Sequence, residues 1–348
     1  MPLNKHHGRL TEAIRRGVPR GPGVYLFRDR SGTTIYVGKS VNLKQRMLSY
    51  FRSNQAGLEH RVRQMIFSID GFDFRETRSD LLALLLEDAL IKRESLQYNI
   101  RQQQYHDSRY LILTDGPYPA CKVATHQEAA GGQLFGPFRD RYLAERILSV
   151  VSHQFGLRSC TDPQPFRKSL NFELGFCGGP CRNRVSVEEY SEIVRRVIDF
   201  LSGHVDWVVS KLKHEMESSA ANYDYEKAAG LRELLRFCSD FSARQLFIQK
   251  FKSGPMTIHD QGDPPLTYRF MKGNLIGVSP EEANETGGGT IPHELSYTQT
   301  DARLVVDRAI LVHGWLNRNA GNCKLAFGES APPPQPWVMS PPIVSYRR

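Results

Sequence analysis

The stretch GVYLFRDRSGTTIYVGKS, residues 23–40, holds two short runs of aromatic and β-branched residues around Asp29-Arg30-Ser31-Gly32. Runs of that composition flanking loop chemistry predict a β-hairpin. A turn centred on Arg30-Ser31 sets Tyr25 directly opposite Tyr36, whereas one centred on Ser31-Gly32 makes the two diagonal. Side chains alternate along a strand, so both registers leave the two phenols on one face. Taken alone, such a pair is an aromatic staple across the hairpin.

The pattern downstream adds polar groups to that face. Ser40 is placed to cap a helix from Val41 to about Phe51, on which Arg46 and Tyr50 share a side. FDF at 72–74 reads as a further strand, and SDLLALLLEDALIKRESL at 79–96 as a helix beginning at Ser79 or Asp80. Within it Glu87 has Ala83, Leu84, Leu90 and Ile91 as its helical neighbours, while Asp88 has Lys92 one turn on. An acid in an apolar stripe needs compensation for its desolvation. The compensation is either a tertiary partner such as Arg46 or a divalent cation whose other ligands are water and phosphate oxygens. Paired tyrosines, an arginine and such an acid are the parts of a phosphodiester-hydrolysis site.

Charge agrees with a polyanionic substrate. The chain of 348 residues carries a net charge of +9, and residues 1–110 hold 19 Lys and Arg against 11 Asp and Glu. No apolar run reaches spanning length and the start lacks a signal-peptide core, so no membrane association and a cytoplasmic location are expected. RYLILT (109–114) and ACKVAT (120–125) predict a second hairpin, and residues 139–151 an amphipathic helix. A loop region with cysteines and glycines fills about 157–185. Residues 186–252 read as helical with one break at Asn222-Tyr223-Asp224, and after Ser253 the composition turns to Gly, Pro and Thr with one helix at 301–316.

In order and spacing, Gly23-Val24-Tyr25, Tyr36-Val37-Gly38 with Lys39, NLKQRMLSYF (42–51), LLEDALIK (85–92) and QYNIR (97–101) resemble the GIY-YIG nuclease family, specifically the UvrC-like excision-repair endonucleases. The likeness continues through LFGPF (134–138), GLRSC (156–160), FCGGPC (176–181) and the helical hairpin called the UVR motif at 215–235, and so covers about residues 18–250. It implies an α+β fold: a small α/β nuclease domain at 18–104 after a leader at 1–17, a cysteine-containing α+β segment at 105–200, and a UVR-like hairpin at 201–252. A largely irregular, partly disordered region of unknown role follows at 253–348.

The resemblance also implies roles. Tyr36 would be the general base or its relay, its pKa lowered by nearby cations or its proton passed along a chain, and Tyr25 would hold the water or phosphate. Arg46 would stabilise phosphate charge and Glu87 would carry Mg²⁺ or Mn²⁺, with Lys39, Tyr50 and Asn99 assisting. Gly38 would let backbone or phosphate approach. Cys160, Cys177 and Cys181 match three of four iron–sulfur ligands, with Ser169 at the fourth place. A cluster with an outside ligand, a cluster completed by Cys121 or His153, or a set of reduced thiols each satisfies that pattern. Tyr225, Ala229, Leu231 and Arg232 would contact a UvrB-like helicase subunit. The 95 residues after Ser253 are too few for the second nuclease and DNA-binding elements of full-length relatives, and His259, Asp260 and Asp301 support no second metal site, which matches the shorter single-nuclease homologues. The expected function is one incision, on the 3′ side, in damaged double-stranded DNA during nucleotide excision repair. A sequence-reading restriction or mobile-element endonuclease and a catalytically silent adaptor are the alternatives.

Overall fold

The computed structural model describes residues 5–52, 58–94, 96–99, 109–125, 131–138, 140–158, 160, 170–280, 292, 295, 302–328 and 344–346. Contacts divide the chain into two units, residues 1–104 with 250–348, and residues 105–249.

The first unit is built on the opening hairpin. Strands β1 (Gly23–Arg28) and β2 (Thr34–Ser40) pair antiparallel with Phe27 opposite Tyr36 and Tyr25 opposite Gly38, with an irregularity after Phe27. The turn is therefore centred on Ser31-Gly32, and Tyr25 and Tyr36 are diagonal neighbours rather than a direct pair. Asp29 fixes it: its carboxylate accepts the backbone N–H groups of Ser31 at 2.9 Å and Thr33 at 3.0 Å. Helix α1 (Lys5–Gly17), in the stretch read as a leader, buries Leu10 and Ile14 in the same core as Tyr25 and Phe27. Helix α2 (Leu43–Ser49) starts two residues later than expected, because Asn42 supplies the cap by accepting the Gln45 N–H at 3.0 Å. Ser40 instead accepts the Asn42 N–H. After α3 (His60–Ser68), strand β3 (Gly71–Glu76) pairs with the other edge of β1, and Gly23 is needed there, since a Cβ would lie 2.3 Å from the Arg75 carbonyl oxygen.

Helix α4 (Asp80–Arg93), capped by Ser79, is apolar on nearly every side. A helix of that kind has to be covered all round. The β1–β2 hairpin covers one side, and a helix from the far end of the chain covers another.

The second unit stacks strands β4 (Arg109–Thr114), β5 (Cys121–Ala124) and β6 (Gly132–Phe138), in the order β5-β4-β6, with helix α5 (Arg141–Phe155). The short α6 (Leu170–Glu173) lies in the cysteine segment. Helix α7 (Val187–Leu201) opens with a reciprocal Ser186–Glu189 capping box. Then α8 (Asp206–Ala221) and α9 (Tyr225–Ser253) form the hairpin, broken at residues 222–224, with Asp224 accepting the Lys227 N–H at 3.1 Å. Tyr190, Phe200, Leu212, Cys238 and Phe241 belong to one core. The boundary between the units falls inside α9.

Residues after Ser253 correct the expectation of a largely irregular region. Strands β7 (Pro255–Asp260), β8 (Leu266–Met271), β9 (Asn274–Pro280) and β10 (Cys323–Phe327) form an antiparallel sheet in the order β10-β7-β8-β9, with helix α10 (Ala302–Arg318) before β10. Alternating burial along β7 and the closely spaced apolar residues of β8 supply its core, including Tyr268 and Phe270. Helix α10 is the second cover of α4, where Asp307 pairs with Lys92 at 3.4 Å. Strand β11 (Val344–Tyr346) pairs with β3. Asp301 lies outside the described residues. Among the described residues no helix is long and apolar enough to cross a membrane.

Candidate active site

Three tyrosines converge where the hairpin meets α2. Tyr25 and Tyr36 come from the same sheet face, and Tyr50 follows the last turn of α2. The ring centroids of Tyr25, Tyr36 and Tyr50 lie 6.0–6.3 Å apart. The Tyr25 and Tyr50 hydroxyls are hydrogen-bonded at 2.8 Å, and the Tyr36 hydroxyl faces both. Gly38 makes the cluster possible: a Cβ there would stand 2.4 Å from the Tyr25 hydroxyl and 3.0 Å from the Tyr36 ring. That glycine accommodates a phenol ring.

Burial sets the electrostatics. Desolvation, with Tyr50 and Glu87 nearby, raises the Tyr36 phenol well above its usual range, and burial does the same to Tyr25. Of the two routes the resemblance allows, a lowered pKa or a proton relay, the protein's own groups work against the first. Without a metal cation beside it, a phenol raised above 10 is no standing base at neutral pH. Arg46 stacks its guanidinium 5.0 Å from the Tyr50 ring centre. Desolvation opposes its charge, but Tyr25 and Tyr50 outweigh that and raise its pKa.

Glu87 reaches this face from α4. It is 8% exposed, and its Oε1 accepts the Lys39 backbone N–H at 2.9 Å. Burial pushes its carboxyl up to about 7, against the lowering influence of that hydrogen bond and of the Lys39 charge. The Lys39 ammonium is itself bound to Asp80, so Glu87 has no ion-pair partner among the described residues. Arg46, the tertiary partner considered from the sequence, is turned to the tyrosines instead. A buried carboxylate that has no ion pair among the described residues and lies near Tyr36 is the hard oxygen donor that Mg²⁺ or Mn²⁺ takes.

Asn99 is drawn to the same region in a different capacity. Its side-chain oxygen accepts the Val37 N–H at 2.9 Å and its amide donates to the Val37 carbonyl at 2.7 Å, clamping β2 between the two motif residues Tyr36 and Gly38. Asp80 escaped the sequence reading as a site residue. Its signal is spacing, because residues 80 and 87 lie two turns apart on one helix face.

The cysteines and the hairpin residues belong to the other unit. Cys177 is half-buried; desolvation raises its thiol pKa, the Gly179 N–H lowers it, and nearby Cys160 and Cys181 add to the rise. Arg158 donates to the Cys160 carbonyl and lies 3.6 Å from its sulfur. Cys121 is buried in the core, its thiol pushed up to about 12 by desolvation. His153 packs its ring 4.3 Å from that of Phe176. Among the described residues no group of three or more His, Cys, Asp or Glu is arranged to hold a metal ion, and Ser169 lies outside them. At the hairpin, Tyr225, Ala229 and Arg232 are exposed, whereas Leu231 packs against the unit's core.

Comparison with known proteins follows the same division. A family model for the UvrC-like GIY-YIG domain matches residues 21–100, and one for the UvrC/Cho excinuclease middle domain matches residues 109–200. The isolated GIY-YIG endonuclease domain of UvrC from Thermotoga maritima, solved with magnesium as its catalytic divalent cation, is 28% identical, covering 26% of this chain and 96% of that one with a TM-score of 0.23. UvrABC system protein C of Lactobacillus acidophilus is 34% identical over 239 residues, 69% of this chain and 39% of that protein. The corresponding protein of a Thermoanaerobacter species is 32% identical over 334 residues, 88% of this chain. The chain spans about half the length of that relative, 53%. Likeness that runs through both units at this level settles descent: the chain belongs to the UvrC family.

Proposed function

We propose that the protein is a divalent-metal-dependent DNA endonuclease that makes a single incision, on the 3′ side of a lesion, in nucleotide excision repair. The observation that carries this reading is the closed cluster of Tyr25, Tyr36 and Tyr50 hydroxyls around Arg46, with the unpaired Glu87 carboxylate alongside. A cation held by Glu87 would supply Lewis-acid stabilisation of the phosphate and its leaving oxygen. The chain's own groups do the rest. Arg46 offers N–H donors to the non-bridging phosphate oxygens as their charge grows. Tyr36 takes the proton of the attacking water while handing its phenolic proton to a neighbouring hydroxyl, which passes one on to a phosphate oxygen, so no free phenolate is required. Tyr25 and Tyr50, fixed by their mutual hydrogen bond, hold that relay in line. Lys39 presents its backbone N–H to Glu87 while Asp80 restrains its ammonium. Asn99 positions β2.

Recruitment would fall to the hairpin, where the exposed Tyr225, Ala229 and Arg232 suit a helix-pair contact with a UvrB-like helicase subunit, with Leu231 supporting from beneath. The three thiols enter this reading as a labile iron–sulfur site that needs an outside ligand, because Cys160, Cys177 and Cys181 are not by themselves arranged to hold a metal ion. Iron and sulfide assay after anaerobic purification tests it, and no incision step depends on it. The decisive experiment is incision of a lesion-bearing duplex with and without Mg²⁺ and the UvrB-like subunit. A single metal-dependent nick 3′ to the lesion is expected. Metal-independent cutting, or cutting governed by sequence rather than by the lesion, overturns the reading.

A further inference from the structure

The Tyr36 phenol separates two unlike surroundings. On one side Glu87 is tied to β2 three residues from Tyr36, its Oε1 accepting the Lys39 backbone N–H at 2.9 Å, and Asp80 holds the Lys39 ammonium. On the other side opens a cleft of about 620 Å³ that Glu87 does not line. Arg46 continues into it from the tyrosine cluster. Leu58, Val62 and Met65, on and just before α3, form an apolar wall. Tyr98 forms another, with the Arg61 guanidinium 5.9 Å from its ring centre and anchored on the Gln97 carbonyl at 2.6 Å.

A slot with apolar and aromatic walls, whose charged lining is Arg46, Arg61 and Glu59 and which opens from the arginine that would hold the phosphate, matches one ligand chemistry. A nucleoside offers a planar heterocycle for stacking and stays tethered to the phosphate that Arg46 would hold. The volume lies within the range of small-molecule sites. Because the metal side of Tyr36 is committed to Glu87, the nucleoside joined to the scissile phosphate has the cleft side available. We infer that the cleft is a nucleoside subsite: it takes the base next to the cut phosphate, unstacked from the duplex, against Tyr98 and the Leu58–Val62 wall. This inference rests on the nuclease reading above and extends it to substrate choice. Extruding a base costs least where pairing is already weakened, so the subsite favours distorted duplex over intact duplex.

Abasic scanning tests this from the substrate side. In lesion-bearing duplexes with a single abasic residue placed in turn around the cut, one position next to the incised phosphate is expected to lower kcat/KM about tenfold, in keeping with the loss of one base–aromatic stack. Val62→Trp, which fills the cleft, is expected to impose a similar loss on the intact substrate and little further loss on the abasic one. A second readout needs no turnover. With Glu87→Gln protein, 2-aminopurine at that position should change its fluorescence on binding, and adding Val62→Trp should abolish the change. Normal incision with uniform tolerance of abasic residues overturns the subsite and leaves the nuclease reading intact. Absence of incision of every substrate by the wild-type protein refutes the nuclease reading, and a flat 2-aminopurine signal refutes the subsite in that case too.

Discussion

The tyrosine cluster and the tip of the helical hairpin use the same residue types under opposite conditions. At the cluster, Tyr25 and Tyr50 are buried, share a hydrogen bond, and lie beside Arg46 and an acid without an ion pair. At the tip, Tyr223 and Tyr225 pack edge to face at 6.3 Å but are 80% and 65% exposed, with Glu226 and Arg232 also in solvent. Buried polar groups are strongly coupled, because each one's removal strands its neighbour in a low dielectric. Exposed ones are not. Substitution at the cluster therefore disturbs proton positions and charge balance together, whereas substitution at the tip reads out what binds there and little else.

The largest test of that contrast is Glu87→Gln, which keeps shape and removes the charge. It should lower incision by roughly 10³-fold or more, the worth of several kcal/mol of metal-borne stabilisation, while duplex binding is retained. Unchanged Mg²⁺-dependent rates would show that the buried carboxylate only packs. Tyr36→Phe comes next. Loss of one proton-transfer group is expected to cost about 10²–10⁴-fold in kcat with little change in KM, and a loss below tenfold would reduce the tyrosines to a packing cluster.

At the tip, Ala229→Glu with Arg232→Glu should remove the stimulation of incision by the UvrB-like subunit and leave the circular dichroism melt and background cleavage as they were. These two exposed positions make a cleaner test than Leu231, whose side chain also serves the core. Normal binding of the subunit by this variant would place recruitment elsewhere.

Asn99→Ala should be felt mainly as stability. Two buried backbone groups of Val37 lose their partner, at about 1–3 kcal/mol, read as a lowered urea midpoint. The smallest effect concerns thiols in metal-free protein. Burial raises the Cys121 and Cys238 thiols to about 12 and about 11, so at pH 8 they stay protonated, and iodoacetamide should label Cys160 and Cys181 first by mass spectrometry.

What local chemistry dictates was open to reading along the chain. Period-two alternation put Tyr25 and Tyr36 on one face whichever register formed. The isolation of Glu87 from any helical counter-ion followed from 3.6-residue spacing. The hairpin break at 222–224 followed from Asn and Asp flanking Tyr223. Choices between equivalent local options were not readable in this way. Whether Ser40 or Asn42 caps α2, and whether the turn centres on Arg30-Ser31 or Ser31-Gly32, depended on which backbone groups the fold left to be satisfied.

The sequence by itself determined the opening β-hairpin, the shared face of its phenols and the misfit acid, because each rests on residues a few positions apart. Only the tertiary structure decided that Tyr50 closes the cluster, that Gly38 makes room for the Tyr25 ring, that Asp80 rather than Glu87 takes the Lys39 ammonium, and that the chain after Ser253 folds into a sheet and a helix covering α4. Those outcomes depend on which distant surfaces exclude water from one another. A one-dimensional pattern reports that α4 needs cover on every side, but not which segment, some 220 residues away, provides it.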